Sequence, residues 1–188
     1  MIISTQFFEG EKICLGPLDH EKDPPVYSRW THEVSFQRTL GWQPARPLSP
    51  AQAKKHFAAV EKEMDERRNS FYFTIRARPD DRLLGFAQLY WIQWSHGDSS
   101  LRLAIGDPQD RGQGYGSEAL SLLLRFAFDE LNMHRLSAFV GEDNPRAVRF
   151  FQRFGFVEEA RRRGALLREE RLWDILHLGL LRSEWRPS

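Results

Sequence analysis

Residues Arg111-Gly112-Gln113-Gly114-Tyr115-Gly116 follow the apolar run Leu103-Ala104-Ile105-Gly106 and open a strongly amphipathic segment, residues 117–131. A strand, a glycine-rich turn and a helix N-terminus in that order restrict the fold severely. The helix must fold back over the strand, and the next strand then lies parallel to the first. The same order makes a site for a phosphorylated ligand. Glycines let the backbone turn its N–H groups inward and let a ligand come close. The helix start adds unpaired donors and a partial positive charge.

Two familiar phosphate loops do not fit. A Walker loop needs Gly-Lys followed by Ser or Thr, and this loop has no lysine. A dinucleotide fingerprint needs G-x-G-x-x-G, and the spacing here is G-x-G-x-G. A nucleotide-binding protein is therefore a poor reading. An R-x-x-G-x-G loop suits a pyrophosphate held mostly by backbone, with Arg111 adding a charged contact.

Around this unit the chain reads as one α+β domain with a mixed, twisted sheet. Residues 12–18 predict a first strand, and residues 19–40 predict helix in pieces, interrupted by Pro24-Pro25. Residues 41–50 carry three prolines and read as a loop. A helix follows to about residue 68, with Ala53, Phe57, Val60 and Met64 at helical spacing. Residues 70–78, 83–94 and 99–106 predict an antiparallel meander joined by short turns. The amphipathic helix buries Leu120, Leu123, Leu124, Ala127, Phe128 and Leu131 on one face. Then come a strand at 136–141, a short helix at 145–154 capped by Asn144, and two closing strands at 155–163 and 171–181.

The length of 188 residues suffices for a sizeable core, and 41% hydrophobic with 28% charged residues is ordinary for a soluble globular protein. A net charge of +1 gives no global pull toward nucleic acid or an anionic membrane. Arg161-Arg162-Arg163 reads as a solvated strand end. Cys14 is the single cysteine, so no intrachain disulfide can form. No metal is expected, because the six histidines form no H-E-x-x-H motif or close pair. No apolar run approaches membrane-spanning length and the start lacks a signal peptide's pattern, so a cytoplasmic location is expected.

The residues resemble the Gcn5-related N-acetyltransferase (GNAT) family, in which R/Q-x-x-G-x-G/A binds the pyrophosphate of acetyl-CoA. Leu131-Asn132-Met133-His134-Arg135-Leu136 is similar to the helix-to-strand passage of one branch. The run from Asn144-Pro145-Arg146-Ala147 through Gly155-Phe156-Val157-Glu158-Glu159 resembles its N-x-x-A-…-G-F-…-E segment. The end of the chain, with Trp173-Asp174 and Arg182-Ser183-Glu184-Trp185, looks like that branch's last strand. The branch includes N-terminal acetyltransferases of ribosomal proteins and polyamine acetyltransferases. The resemblance covers roughly residues 100–185; residues 1–68 match loosely and would form the acceptor side, residues 70–188 the core sheet.

The resemblance implies a mostly antiparallel sheet of about seven strands with flanking helices and a central parallel pair that splays to admit acetyl-CoA. It implies an N-acetyltransferase acting on a primary amine of a protein N-terminus or of a small molecule such as a polyamine. Cofactor contacts fall on Ala104, Ile105 and Gly106, on the loop Arg111 to Gly116 with Gln113 and Tyr115, and on Ser117, Asn144, Phe150 and Phe151. Asn144 is at once a helix cap and a cofactor contact. Many members have a tyrosine at Phe151 that reprotonates the leaving thiolate; here that role is vacant. Glu159 is the candidate base and Glu33 a second one, each with a solvated surface residue as the plain alternative. Tyr27, Trp30, Glu33 and Trp42 are candidates for acceptor recognition, although aromatics there are more often core. Trp91, Trp94 and Trp173 are assigned to the sheet or to a homodimer contact. The rival from another class is a CoA-binding regulatory module without catalysis, for which Phe151 is the main support.

Overall fold

The computed structural model describes residues 7–40 and 45–186. Seven strands form one sheet in the order β1-β2-β3-β4-β5-β7-β6. They are β1 Ile13–Gly16, β2 Phe71–Ala77, β3 Leu83–Gln93, β4 Asp98–Ile105, β5 Arg135–Gly141, β6 Val157–Arg168 and β7 Arg171–Leu181. Each neighbouring pair is antiparallel except β4 and β5, which a helical crossover joins in parallel as expected. The helices are α1 Asp23–Trp30, α2 Val34–Leu40, α3 Pro50–Arg67, α4 Tyr115–Arg125 and α5 Pro145–Arg153.

Local chemistry explains the element ends. Ser49 and Gln52 form a reciprocal capping box at the start of α3. Asn144 accepts from the Ala147 N–H and caps α5. Pro24 and Pro25 do not interrupt a helix; they occupy the first turn of α1. Their missing N–H groups have no partner to lose there, and their fixed φ suits a helix start. After Arg125 the α4 ladder loosens into a π-helical turn, Phe126–Glu130, in which the Leu131 N–H reaches the Phe126 carbonyl at 3.0 Å.

The strand alternation sorts two cores, one on each face of the sheet. One face packs Ile75, Leu89, Leu101, Leu136, Ala138 and Leu178 under α4 and α5, whose Leu120, Leu123 and Leu124 are fully buried. Each such side chain contributes roughly 1.5–3 kcal/mol over an exposed one. The other face packs Phe86 and Ala104 under Tyr27, Trp30, Phe36 and Phe57 from α1–α3. β2 therefore buries both of its faces: Thr74 and Arg76 are as enclosed as Ile75. Arg76 is tolerated there because its guanidinium meets both Asp23 oxygens at 2.7 Å. Arg161 is not at a strand end; it lies within β6 between Glu158, Glu142 and Asp174. Trp91 and Trp94 are exposed, and Trp173 stacks under Arg171.

Candidate functional site: a fork between two parallel strands

The parallel ladder joining β4 to β5 has three pairs, Asp98↔Arg135, Ser99↔Leu136 and Ser100↔Ser137, and then stops. Both strands continue, so they diverge into a fork. The ladders on the outer sides fix which peptide groups face the gap. The Gly106 N–H donates to the Leu84 carbonyl at 2.9 Å. Antiparallel alternation then turns Ala104 and Arg102 toward β3 as well, and turns Leu101, Leu103 and Ile105 toward the fork. On the other prong the Arg182 N–H donates to the His134 carbonyl, and the Glu142 N–H to the Asp174 carbonyl. By the same alternation Phe139 and Gly141 face the fork. The peptide groups of Ala104 and Gly106 thus belong to the β3 ladder, although Ala104 itself lines the cleft. Strand parity counted from Gly106 would have located the right edge.

A cleft of about 920 Å³ fills this fork. At its mouth sit Arg111, Gly112, Gly114, Gly116 and Ser117. Gly112 and Gly114 have φ of +85° and +93°, which glycine adopts without strain. The turn delivers the chain into α4 with its first N–H groups at the cleft, a natural anion seat. Arg111 has a different task from the one expected. Its guanidinium donates to the Ile105 carbonyl at 3.1 Å and to the Gly106 carbonyl at 2.7 Å, closing the end of β4. Gln113 and Tyr115 lie outside the cleft lining: the Gln113 carbonyl accepts from Lys12 Nζ at 3.3 Å, and Tyr115 packs on the core. Positive charge comes instead from Arg146, Arg149 and Arg153, spaced along one side of α5 and lining the cleft. That i, i+3, i+7 stripe is present in the sequence. Asn144, Phe150 and Phe151 line the cleft too, with Phe151 also embedded in the core.

The opposite wall differs from expectation. Tyr27 and Trp30 are core residues, 8% and 1% exposed. Trp30 lies so close to Gly106 that a side chain there would overlap its ring. Glu33 is exposed and its carbonyl receives the Phe36 and Gln37 N–H groups at the start of α2. Trp42 lies outside the described residues. The wall is made by Ser35, Arg38 and Thr39 of α2, by Tyr90 and Arg102, by Phe139, and by Asp143 and Arg168. Glu169 at the β6–β7 turn reaches Arg38 at 3.2 Å, so the hairpin touches α2 across the cleft mouth.

Glu159 is absent from the cleft lining. It forms an ion pair with Arg135 and covers Gly179, at the closed end of the fork. The Arg135 guanidinium holds its carboxyl below the usual range, which makes it a weaker base. Tyr90 stands opposite Ser100, the last residue of β4 that is paired to β5, and burial pushes its phenol above the usual value. Among the described residues no cluster of His, Cys, Asp and Glu could hold a metal ion, and no helix is long and apolar enough to cross a membrane.

Comparison with known proteins agrees with this geometry. The acetyltransferase (GNAT) domain family matches residues 12–157. A spermidine N(1)-acetyltransferase of Vibrio cholerae is 27% identical over 103 residues, 55% of this chain and 59% of that protein. The human α/β-tubulin-N-acetyltransferase 9 is 22% identical over 158 residues, 80% of this chain and 75% of its own. Among solved structures, the Vibrio cholerae spermidine N-acetyltransferase in complex with CoA and spermine superposes with a TM-score of 0.79 at 18% identity, covering 93% of this chain and 98% of that one. A probable acetyltransferase reaches 0.81 at 20% identity, covering 94% and 96%.

Proposed function

The chain belongs to the GNAT acetyltransferase family, and from that premise we propose that it transfers the acetyl group of acetyl-CoA to a primary amine. The observation that carries this reading is the fork: a parallel pair that parts after Ser100, with a glycine loop and a helix start at its mouth. The residues present suit the cosubstrate. The α4 N-terminus with Arg146, Arg149 and Arg153 would hold its phosphates. The outward peptide groups of Leu103 and the Ile105 N–H would pair with its amide arm as an added strand does. Phe150 and Phe151 would pack on the aliphatic part.

Acetyl-CoA supplies an acyl group already activated as a thioester. The chain's residues do the rest. A strand-edge N–H of the fork would face the acyl oxygen and would stabilise the charge that develops there. The walls hold amine and acyl carbon together, which removes most of the entropic cost of the encounter. A C–N bond would form and a C–S bond break; the ammonium would give up two protons, one to solvent and one to replace the proton that a side-chain donor delivers to sulfur. Phe151 cannot supply the sulfur proton. Tyr90, a phenol that stays protonated through the neutral range, is the donor we assign to that step. We also place the protein in the cytoplasm, where acetyl-CoA is made and the free thiol of Cys14 is kept reduced.

Calorimetric titration with acetyl-CoA tests the reading. The wild type is expected to bind in the micromolar range, and Gly114→Glu, which puts a carboxylate and a strained φ into the phosphate seat, to lose binding. No binding by the wild type would end the acetyltransferase reading. Binding without thiol release from any amine would leave a non-catalytic CoA module.

A further inference from the structure

Near its end β3 carries one residue more than its partner. Tyr90 pairs with Ser100 and Gln93 with Asp98, three steps along β3 against two along β4. Trp91 sits in this bulge with φ of +53°, a left-handed conformation that a large side chain rarely adopts. The extra residue changes what faces outward. Leu89 and Ile92 both point into the core under α4, 0% and 5% exposed, where regular alternation would put them on opposite faces. Tyr90 and Trp91, between them, come out together on the face that carries α1–α3.

The Trp91 ring lies 5.0 Å from the Tyr90 ring and 6.2 Å from the Phe139 ring, centroid to centroid. Phe139 alternates with the core residues Ala138 and Val140, so it stands on this same outer face. β4 runs between β3 and β5, so Trp91 and Phe139 meet across it, beside Ser100 and Ser137, the last rung before the strands part. Tyr90 and Phe139 line the cleft, and the His177 ring stands edge-on to Phe139 at 4.6 Å. These rings form one wall at the apex of the fork, next to the phenol assigned to the sulfur proton. Trp91 is its outer end and is 64% exposed. The bulge thus holds, at a cost in backbone strain, a ring that the core does not use, and strain of this kind gathers at ligand sites.

The charges nearby are already engaged. At the closed end of the fork Asp98 and Glu159 both face Arg135. Asp143, the one carboxylate among the described residues that line the cleft, pairs with Arg168 at the open end. A polyamine would set its further ammonium groups against rings, whereas an apolar group gains by covering them. We propose that Trp91 determines acceptor specificity, and that the acceptor is a primary monoamine with an aromatic group close to its nitrogen. Its ring lies on Trp91 and Phe139, and its nitrogen reaches the apex beside Tyr90. The proposal rests on the acetyl-transfer reading and deepens it by naming the substrate class.

Thiol release from acetyl-CoA is to be followed with phenethylamine, butylamine and spermidine. The kcat/KM for phenethylamine is expected to exceed that for butylamine by about tenfold, the size of one aromatic contact with the area it covers. Trp91→Gly should remove that preference by raising KM for phenethylamine, with a smaller change for butylamine, and Trp91→Phe should keep part of it. Glycine takes a φ of +53° without strain, so the variant is expected to fold, and an acetyl-CoA affinity equal to that of the wild type checks this. A kcat/KM for phenethylamine equal to or below that for butylamine or spermidine overturns the acceptor class while acetyl transfer stands. A preference that survives Trp91→Gly, or a loss of the same size for all three amines, overturns the role of Trp91. Acetyl-CoA binding without thiol release from any amine ends acetyl transfer and this proposal together.

Discussion

The two walls of the cleft are made of different material. The wall proposed to seat phosphate comes from the end of β4, the glycine loop and the start of α4, with the arginines of α5 beside them, and its frame is backbone: a strand edge, glycines and a helix start. The facing wall is assembled from α2, the middle of β3, the β5–α5 turn and the far end of β6, and it works through side chains. A backbone site is fixed as soon as its strand and helix form. A side-chain site depends on every element that carries a piece of it, and on what anchors those elements to the sheet.

That difference predicts unequal damage. The strongest anchor of the acceptor side is the Asp23–Arg76 pair, which ties α1 to β2 and leaves Asp23 1% exposed. Asp23→Ala strands a buried guanidinium, and stability measured by urea unfolding should fall by about 3–5 kcal/mol. Below its own unfolding range the variant should still bind acetyl-CoA like the wild type and lose affinity for the acceptor. An equal loss of both affinities would break the comparison between the walls.

How far each wall could be read from the sequence follows the same division. The seven strands, the parallel crossover and the glycine loop follow from periodicity and turn chemistry, because those signals are local. The resemblance extended them to a splayed pair. Which peptide groups of residues 104–106 face the fork is not legible in the sequence, because a strand's outward edge depends on its neighbour's register, here the Gly106–Leu84 bond. Tyr27, Trp30 and Glu33 were misread because burial of an aromatic in a short helix is decided by what packs above it. Here α3 and Phe86 enclose Tyr27 and Trp30, and Glu33 is left in solvent. Arg38, Asp143 and Arg168 come to line one cleft only through folding; Arg38 and Asp143 are 105 positions apart in the chain, and no spacing rule connects them.

Tyr90→Phe sharpens the comparison from the chemical side. It removes the proton donor and keeps the ring under Arg102, so kcat should fall by roughly 10²-fold, the lower range for losing a general acid. Acetyl-CoA affinity should stay as it is. Because burial raises the phenol, the alkaline limb of wild-type turnover should lie above the ordinary tyrosine range. A limb below it, or an unchanged kcat in the variant, would remove Tyr90 from the mechanism.

The smallest effect belongs to Glu159, which is on neither wall. Arg135 lowers its folded pKa, so its contribution to stability is present above the unfolded value and is lost as pH falls through the folded one. The pair is partly exposed, which limits that contribution to about 1 kcal/mol or less. Glu159→Gln should flatten stability against pH in that acid window and leave turnover near wild type. A large loss of kcat would return Glu159 to the site.

The three rungs between β4 and β5 have a mechanical consequence. β1–β4 and β5–β7 are two leaves joined by a hinge at one end, with open edges facing each other elsewhere. A ligand hydrogen-bonded along those edges is the missing rung, and it turns two leaves into one plate. Under the proposed function, acetyl-CoA is expected to enter first and the amine second, an order set by where the sheet stops being a sheet.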